Sequence, residues 1–428
     1  MHGARPSPRR ATLLAMSRFA SLALLALAIP LAPLLVASCS DDAESSREPD
    51  PQPPPSDAST TPQDANAPRP QDAGPGPGTD GGPQPDGGTV IKKPLWGYVG
   101  SSDGKVRAFT VDETTGLWTL KTTSNAGTNP SFVAFDVPKS RAVAVDEITG
   151  GMVRAFAVDF ATGAFTETNA KPSGGAGPTH VSLDPTGAWV FVANYTGNNM
   201  SVFPLNAQGL LGDASDTKAS GNKSHWAGTN PAGTHAFVPA LGANAVAQYA
   251  FNAQTGKLTA NGTVSPPANA GPRHLAFHPS SKWAYLINET AITVTALDFD
   301  AASGKLTPKQ TLSALPPGQA TQGVSGAEIF VHPGGKHVYA STRGYNAIAH
   351  FTVNDATGAL TFVASVETGA PRPRSFGIDP EGAWLFAGNQ DQDQVVGFRI
   401  DPGTGALGPV GVVANTKGPT FVGVLRAP

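Results

Sequence analysis

Residues 177–209 read GPTHVSLDPTGAWVFVANYTGNNMSVFPLNAQG, and their order decides the fold. A short apolar run stops at Asp184-Pro185, and a Gly-containing turn follows. A second run, Trp189 to Ala193, comes next, then a third around Met200 to Phe203, and Gly209 opens a turn into a fourth. Short apolar runs separated by Gly, Pro, Asn and Asp are strands joined by tight turns. The same order recurs along the chain. A Thr-Gly or related mark followed by a hydrophobic residue stands at Gly116, Gly163, Gly209, Gly256, Gly304, Gly358 and Gly405, at intervals of 47, 46, 47, 48, 54 and 47. Seven marks at this period, with four strands in each unit, predict an all-β, seven-bladed β-propeller. The one long interval holds Ala314 to Gly326, a loop rich in Pro, Gly and Gln.

The two ends predict how the ring closes. The first unit opens directly on a second-type run, Trp96 to Val99, and lacks a first strand. The chain ends on Gly418-Pro419-Thr420-Phe421-Val422-Gly423-Val424, a copy of the first-strand pattern at 177–183. The C-terminal strand is therefore expected to complete the first blade, four antiparallel strands in all, and to remove the open edge that would otherwise pair with other chains.

Composition agrees. Gly 49 and Pro 40 among 428 residues are too many for a helical bundle, and 14% charged residues are too few for a coiled coil. A single Cys excludes a disulfide framework and any multi-cysteine metal or iron–sulfur site. The net charge of −3 argues against a nucleic-acid partner. That charge belongs to residues 40–88, which hold ten acidic residues against Arg47 and Arg69, twelve prolines and no aromatic. Such a stretch cannot bury enough apolar surface to fold, so 39–92 reads as an acidic Pro/Gly-rich linker. Ahead of it, Arg5, Arg9, Arg10 and Arg18 precede an apolar run from Phe19 to Val36 that ends on small residues before Cys39. This is the pattern of a secretory signal peptide over 1–38. Pro30 and Pro33 weigh against an uncleaved membrane helix, and Pro8 against a twin-arginine signal. The segment resembles a bacterial lipoprotein signal, which implies a chain exported and anchored to a bacterial membrane by lipid on Cys39 alone, with 93–428 as the propeller.

Neighbouring strands in a blade are antiparallel, so the start of the inner strand and the end of the second lie on one face of the ring. Polar residues gather there in consecutive blades: His180 and Asn194-Tyr195 in blade three, His225 in blade four, and Arg273, His274 and Asn288-Glu289 in blade five. Blade six adds Glu328 and Arg343, and blade seven Arg374. They are expected to rim a wet mouth, where each taken singly could also do no more than solvate a channel.

The runs GPRHLAFHP (271–279), Asn288-Glu289, AEIFVHPGGKHVYASTRG (327–344) and PRSFGIDPEGAW (373–384) make the sequence recognisable. Residues 95–425 resemble the bacterial lactonase family, the seven-bladed propellers that include 6-phosphogluconolactonases and the related carboxy-muconate cycloisomerase. The resemblance implies His225, Arg273, Glu289 and Arg343 as catalytic residues, with no cofactor and no metal. His180, His274, Asn194 and Arg374 are the accompanying candidates for substrate binding. The sequence departs from the family where Pro-Asp-Leu-Gly-x-Asp is usual after the second strand of blade four: here Ala240 and Asn244 replace both carboxylates, and Thr342 replaces the Asn before Arg343.

Two functions of different class follow. One is a hydrolase opening a sugar-acid lactone of the 6-phosphogluconolactone type, with Glu289 or His225 activating water and Arg273 and Arg343 stabilising the oxyanion or gripping an acidic group. No GxSxG motif is present, so direct attack by water without an acyl-enzyme is expected. The partner is then a small-molecule lactone or sugar acid, and the protein a monomer. Phosphogluconolactone is a cytosolic metabolite, so export argues against it. The other function is a non-catalytic binding or scaffold module tethered at the surface, which the loss of the blade-four acids favours.

Overall fold

The computed structural model describes residues 92–428. The signal peptide, most of the linker and Cys39 lie outside the described residues.

The strands form seven four-stranded antiparallel sheets in chain order. Blade one takes its inner strand, Pro419–Arg426, from the C-terminus, and this strand pairs antiparallel with Leu95–Ser101. The expected closure is therefore present. Seven apolar clusters fill the ring, one between each pair of adjacent blades. This arrangement buries second strands on both faces, as in Trp283–Asn288 and Trp384–Asn389, so they read as unbroken apolar runs.

The repeating glycines explain the period. All seven have φ between 67° and 78°. A side chain is disfavoured there, and it would also have no room. A Cβ on Gly116, Gly163, Gly256 or Gly358 would fall within 2.5 Å of Trp384, Trp96, Trp189 or Trp283, each first or second in the second strand of the adjoining blade. Gly304 and Gly405 meet His235 and His337 in the same way. The mark thus encodes a turn and a blade-to-blade contact together.

The inner strands supply the feature that builds the site. In blades one, two, three, five and seven the inner strand begins with Pro419, Pro130, Pro178, Pro272 and Pro373, and the register shifts just after each. Proline brings no N–H to the ladder, and the next residue is left unpaired as a bulge. The bulged residues are Thr420, Ser131, Thr179, Arg273 and Arg374. Blade six bulges at Ala327-Glu328. Blade four departs further. Its inner strand is only Gly228–Thr229, and His225 precedes it, held by its N–H to Pro239 O at 2.9 Å. The long loop expected at 314–326 runs between strands ending at Ser313 and beginning at Ser325.

Candidate active site at one mouth of the ring

Bulges re-aim side chains, and here six of them line one small cavity in the channel. Ser131, Thr179, Arg273, Glu328, Arg374 and Thr420 meet there with Phe132, His225, His274 and Ser375. Its volume of about 10 Å³ has room for about one water. Above it, Arg273 Nε lies 2.9 Å and Arg343 Nη2 3.0 Å from Glu289 Oε2. One carboxylate therefore brackets two guanidinium groups. Arg273 also donates to Ala327 O, and Arg343 to Gly326 O at 3.1 Å. Arg374 is tied to Glu147 at 3.2 Å.

Arg273 is only 2% exposed, against 13% for Arg343 and 25% for Glu289. The expectation of a wet mouth is corrected at Arg273, which the bulge turns into the ring, and at His180, Asn194, His225, His274 and Glu328, which are buried as well. Burial lowers its pKa to about 10, still charged at neutral pH. Burial works to raise the Glu289 pKa, but Arg273 and Arg343 outweigh it and hold the carboxyl below its ordinary value. Burial of His225, His274 and His180, reinforced by nearby positive charge, pushes all three imidazoles well below their usual range. They are neutral at pH 7. Glu328 goes the other way, raised by burial to about 7.

The structure brings together His225, Arg273, His274, Glu289, Arg343 and Arg374. His274 Nδ1 lies 2.7 Å from Glu328 Oε1, and His274 Nε2 lies 3.2 Å from His225 Nδ1. Tyr195 packs edge-on against His225, with ring centroids 5.5 Å apart. His180 sits deeper, tilted against Phe132 with ring centroids 4.1 Å apart, and lines a second cavity of about 680 Å³ with Asp184, Trp226 and Phe330, which Glu328 borders as well. Asp136, Asp184, Pro185 and Val331 in its lining stand at or just past the far ends of inner strands, so this funnel opens on the opposite face. Asn194 is fully buried within blade three, its amide donating to Ser173 O at 3.0 Å and Asn199 Oδ1 at 2.7 Å. Ala240 is buried without a polar group, and Asn244 holds a loop through Pro267 O and the Gly271 N–H.

Two residues had no role assigned from sequence. Glu328 was visible on an inner strand, but its partner His274 lies 54 positions away in the next blade. Glu147 follows the second strand of blade two as Glu289 follows that of blade five, each donating its N–H to the carbonyl of the residue before the proline that opens the inner strand. Alignment of the blades would have found it. Among the described residues, no cluster of three or more His, Cys, Asp or Glu has the arrangement of a metal site.

The sequence profile described as lactonase, 7-bladed beta-propeller matches residues 96–424. A 6-phosphogluconolactonase of Bacillus subtilis is 33% identical over 328 residues, covering 73% of this chain and 93% of the relative. One from Pectobacterium carotovorum is 34% identical over 265 residues, covering 61% and 79%. Among solved structures, the periplasmic gluconolactonase of Pseudomonas aeruginosa superposes with a TM-score of 0.73 at 25% identity, covering 78% of this chain and all of that one.

Proposed function

Because the chain belongs to the lactonase family of seven-bladed β-propellers, we propose that it hydrolyses the ring ester of a sugar-acid lactone at the Arg273–Glu289–Arg343 mouth. The observation that carries this reading is the bracket itself. Two guanidinium groups fixed by one carboxylate beside a neutral imidazole make a preorganised positive field where a carbonyl oxygen gains charge. Arg343, the more open of the two, reaches the substrate. Arg273 supports it from behind.

Water is the nucleophile, and His225 is the base. Glu289 is held ionised by its two partners, which makes it a weak base and a strong positioner of the arginines. His225 is neutral, lines the cavity, and has no hydrogen bond on Nε2 among the described residues.

The lactone carries no phosphate. The three arginines of the site each have a carboxylate partner, Arg273 and Arg343 with Glu289 and Arg374 with Glu147, and Arg372, which lines a cavity with Arg343, pairs with Asp391 at 3.5 Å. A phosphate would have to displace one of them. An unphosphorylated substrate also suits the export inferred from 1–38 and the lipid anchor inferred at Cys39, the second of which mass spectrometry of the mature N-terminus checks.

One observation favours a module that binds without turnover: Ala240 offers no carboxylate beside the blade-four loop that carries His225. A panel of aldonolactones, each with and without a phosphate, assayed by acid release in a pH-stat, separates these readings. Ring opening of an unphosphorylated lactone above the spontaneous rate is expected. Opening of none leaves the module, and a preference for the phosphorylated member refutes the charge argument.

A further inference from the structure

Three blades contribute one continuous hydrogen-bonded line beneath the mouth. Glu328 of blade six, His274 of blade five and His225 of blade four are all buried. The two contacts are 2.7 Å and 3.2 Å, and both use the two ends of the His274 ring. Glu328 Oε1 is held in place by the N–H of Ile329 at 3.0 Å. Phe132 packs edge-on against His274, with centroids 5.9 Å apart, and His180 does the same at 5.4 Å. The middle ring therefore has no freedom to turn away.

The chemistry of this line is set by counting protons. An ionised Glu328 accepts from His274 Nδ1–H. A neutral His274 then has a bare Nε2, which accepts from His225 Nδ1–H. A neutral His225 is left with a lone pair on Nε2, the atom with no hydrogen bond among the described residues. Protonating Glu328 reverses every donor in the line, and His225 Nε2 then carries a hydrogen.

We propose that Glu328, His274 and His225 form a proton relay across three blades, with Glu328 the final holder of the proton removed from water. The relay rests on the hydrolysis reading above and supplies what that reading lacks. Arg273, Arg374, Arg343 and His180 all face these imidazoles, and with burial they oppose an imidazolium. Glu289 works in the opposite sense on His274. The attacking water's oxygen bonds to the lactone carbonyl carbon as its proton passes to His225 Nε2. The His225 Nδ1 proton passes to His274 Nε2, and the His274 Nδ1 proton to Glu328. When the ring C–O bond breaks, the sequence runs backward and the leaving alkoxide receives the proton. Neither histidine gains net charge at any stage. Glu328, raised to about 7, can lend and recover a proton at neutral pH. The same line also replaces the acid missing at position 240, since it fixes the tautomer of His225 from another blade. Glu328 touches no substrate and is a positioning and proton-holding residue.

The full-length protein labelled with ¹⁵N in histidine tests this directly. In the wild type His225 and His274 stay neutral on both sides of pH 7, and both exchange tautomers together with one midpoint near 7. In Glu328→Gln no exchange occurs, and the lactonase rate falls about 100-fold or more with KM little changed. Glu328→Asp, which keeps a carboxyl, restores the pH response in part. Imidazolium signals at either histidine near pH 7, or separate midpoints, overturn the relay whatever the activity. If Glu328→Gln does not fold, the shared wild-type midpoint decides alone. A wild type that opens no lactone yet exchanges both tautomers together keeps the relay and refutes the hydrolysis reading.

Discussion

Replacing Glu289 by Gln keeps the shape of the mouth and removes the charge between its two arginines. At an effective dielectric of about 20, unit charges about 3 Å apart attract by roughly 5 kcal/mol. Glu289 makes two such contacts, at 2.9 and 3.0 Å. Desolvation and repulsion between the guanidiniums offset much of this, and breaking a buried pair typically costs about 3–5 kcal/mol. Glu289 is a quarter exposed, which places the cost near the low end, about 3 kcal/mol. The same substitution at Glu381, 40% exposed and paired with Arg426, should cost about 1 kcal/mol or less. Urea unfolding of both variants at pH 7 measures the contrast. Because Arg273 is buried, the Glu289→Gln loss should shrink only partly in high salt. A loss below about 0.5 kcal/mol, or one equal to that of Glu381→Gln, refutes the bracket as the element that holds the arginines.

Deleting Gly418–Pro428 removes Phe421, Val422 and Leu425 from the core. At about 1.5–3 kcal/mol each this approaches the whole stability of a domain, so cooperative thermal unfolding should disappear. Gly256→Ala puts a Cβ 2.1 Å from the Trp189 ring at φ 68° and should cost about 2–4 kcal/mol in the same urea assay, whereas an unchanged midpoint would dissociate the repeated glycine from blade contact. Burial, with His337 beside it, lowers the His350 pKa to about 4, so the unfolded chain binds the proton first as pH falls. His350 contributes about 3 kcal/mol that is complete above about pH 6.5 and lost toward pH 4, so His350→Gln should lessen the acid slope by about that amount, leaving the part due to the other buried histidines, as scanning calorimetry across pH reads out.

The ring was legible in sequence because its signals are local. A glycine at positive φ recurs at one period for a steric reason, and an aspartate or histidine before proline and a tryptophan near the start of the second strand each return in four blades. Closure was legible because the last run copies a first strand. The site was only half legible. Side chains alternate along a strand with period two, and a bulge breaks that alternation by one residue. Arg273 and His274 thus do not face as a regular strand would place them, and Arg273 is buried where a wet mouth was expected. His180 stands at the matching position of blade three, yet it lines the opposite funnel. Asn194 is used up inside its own blade, a fate that depends on Ser173 and Asn199 being within reach. The contact between Glu328 and His274 joins two blades, and no spacing within one repeat encodes it. The shortening of the inner strand of blade four was also invisible, because the segment ahead of it is held at His225 O and Ala227 O by Thr179 and Ser182 of blade three.

Arg343→Ala tests the central claim most directly. Arg343 is the more open member of the bracket, and its loss leaves Arg273 paired with Glu289, so the fold should survive. Ring opening of an unphosphorylated aldonolactone, followed by acid release and corrected for the spontaneous rate, should fall about 100-fold or more, with the unfolding midpoint close to that of wild type. A variant as fast as wild type, or a wild type no faster than water, contradicts lactone hydrolysis at this mouth.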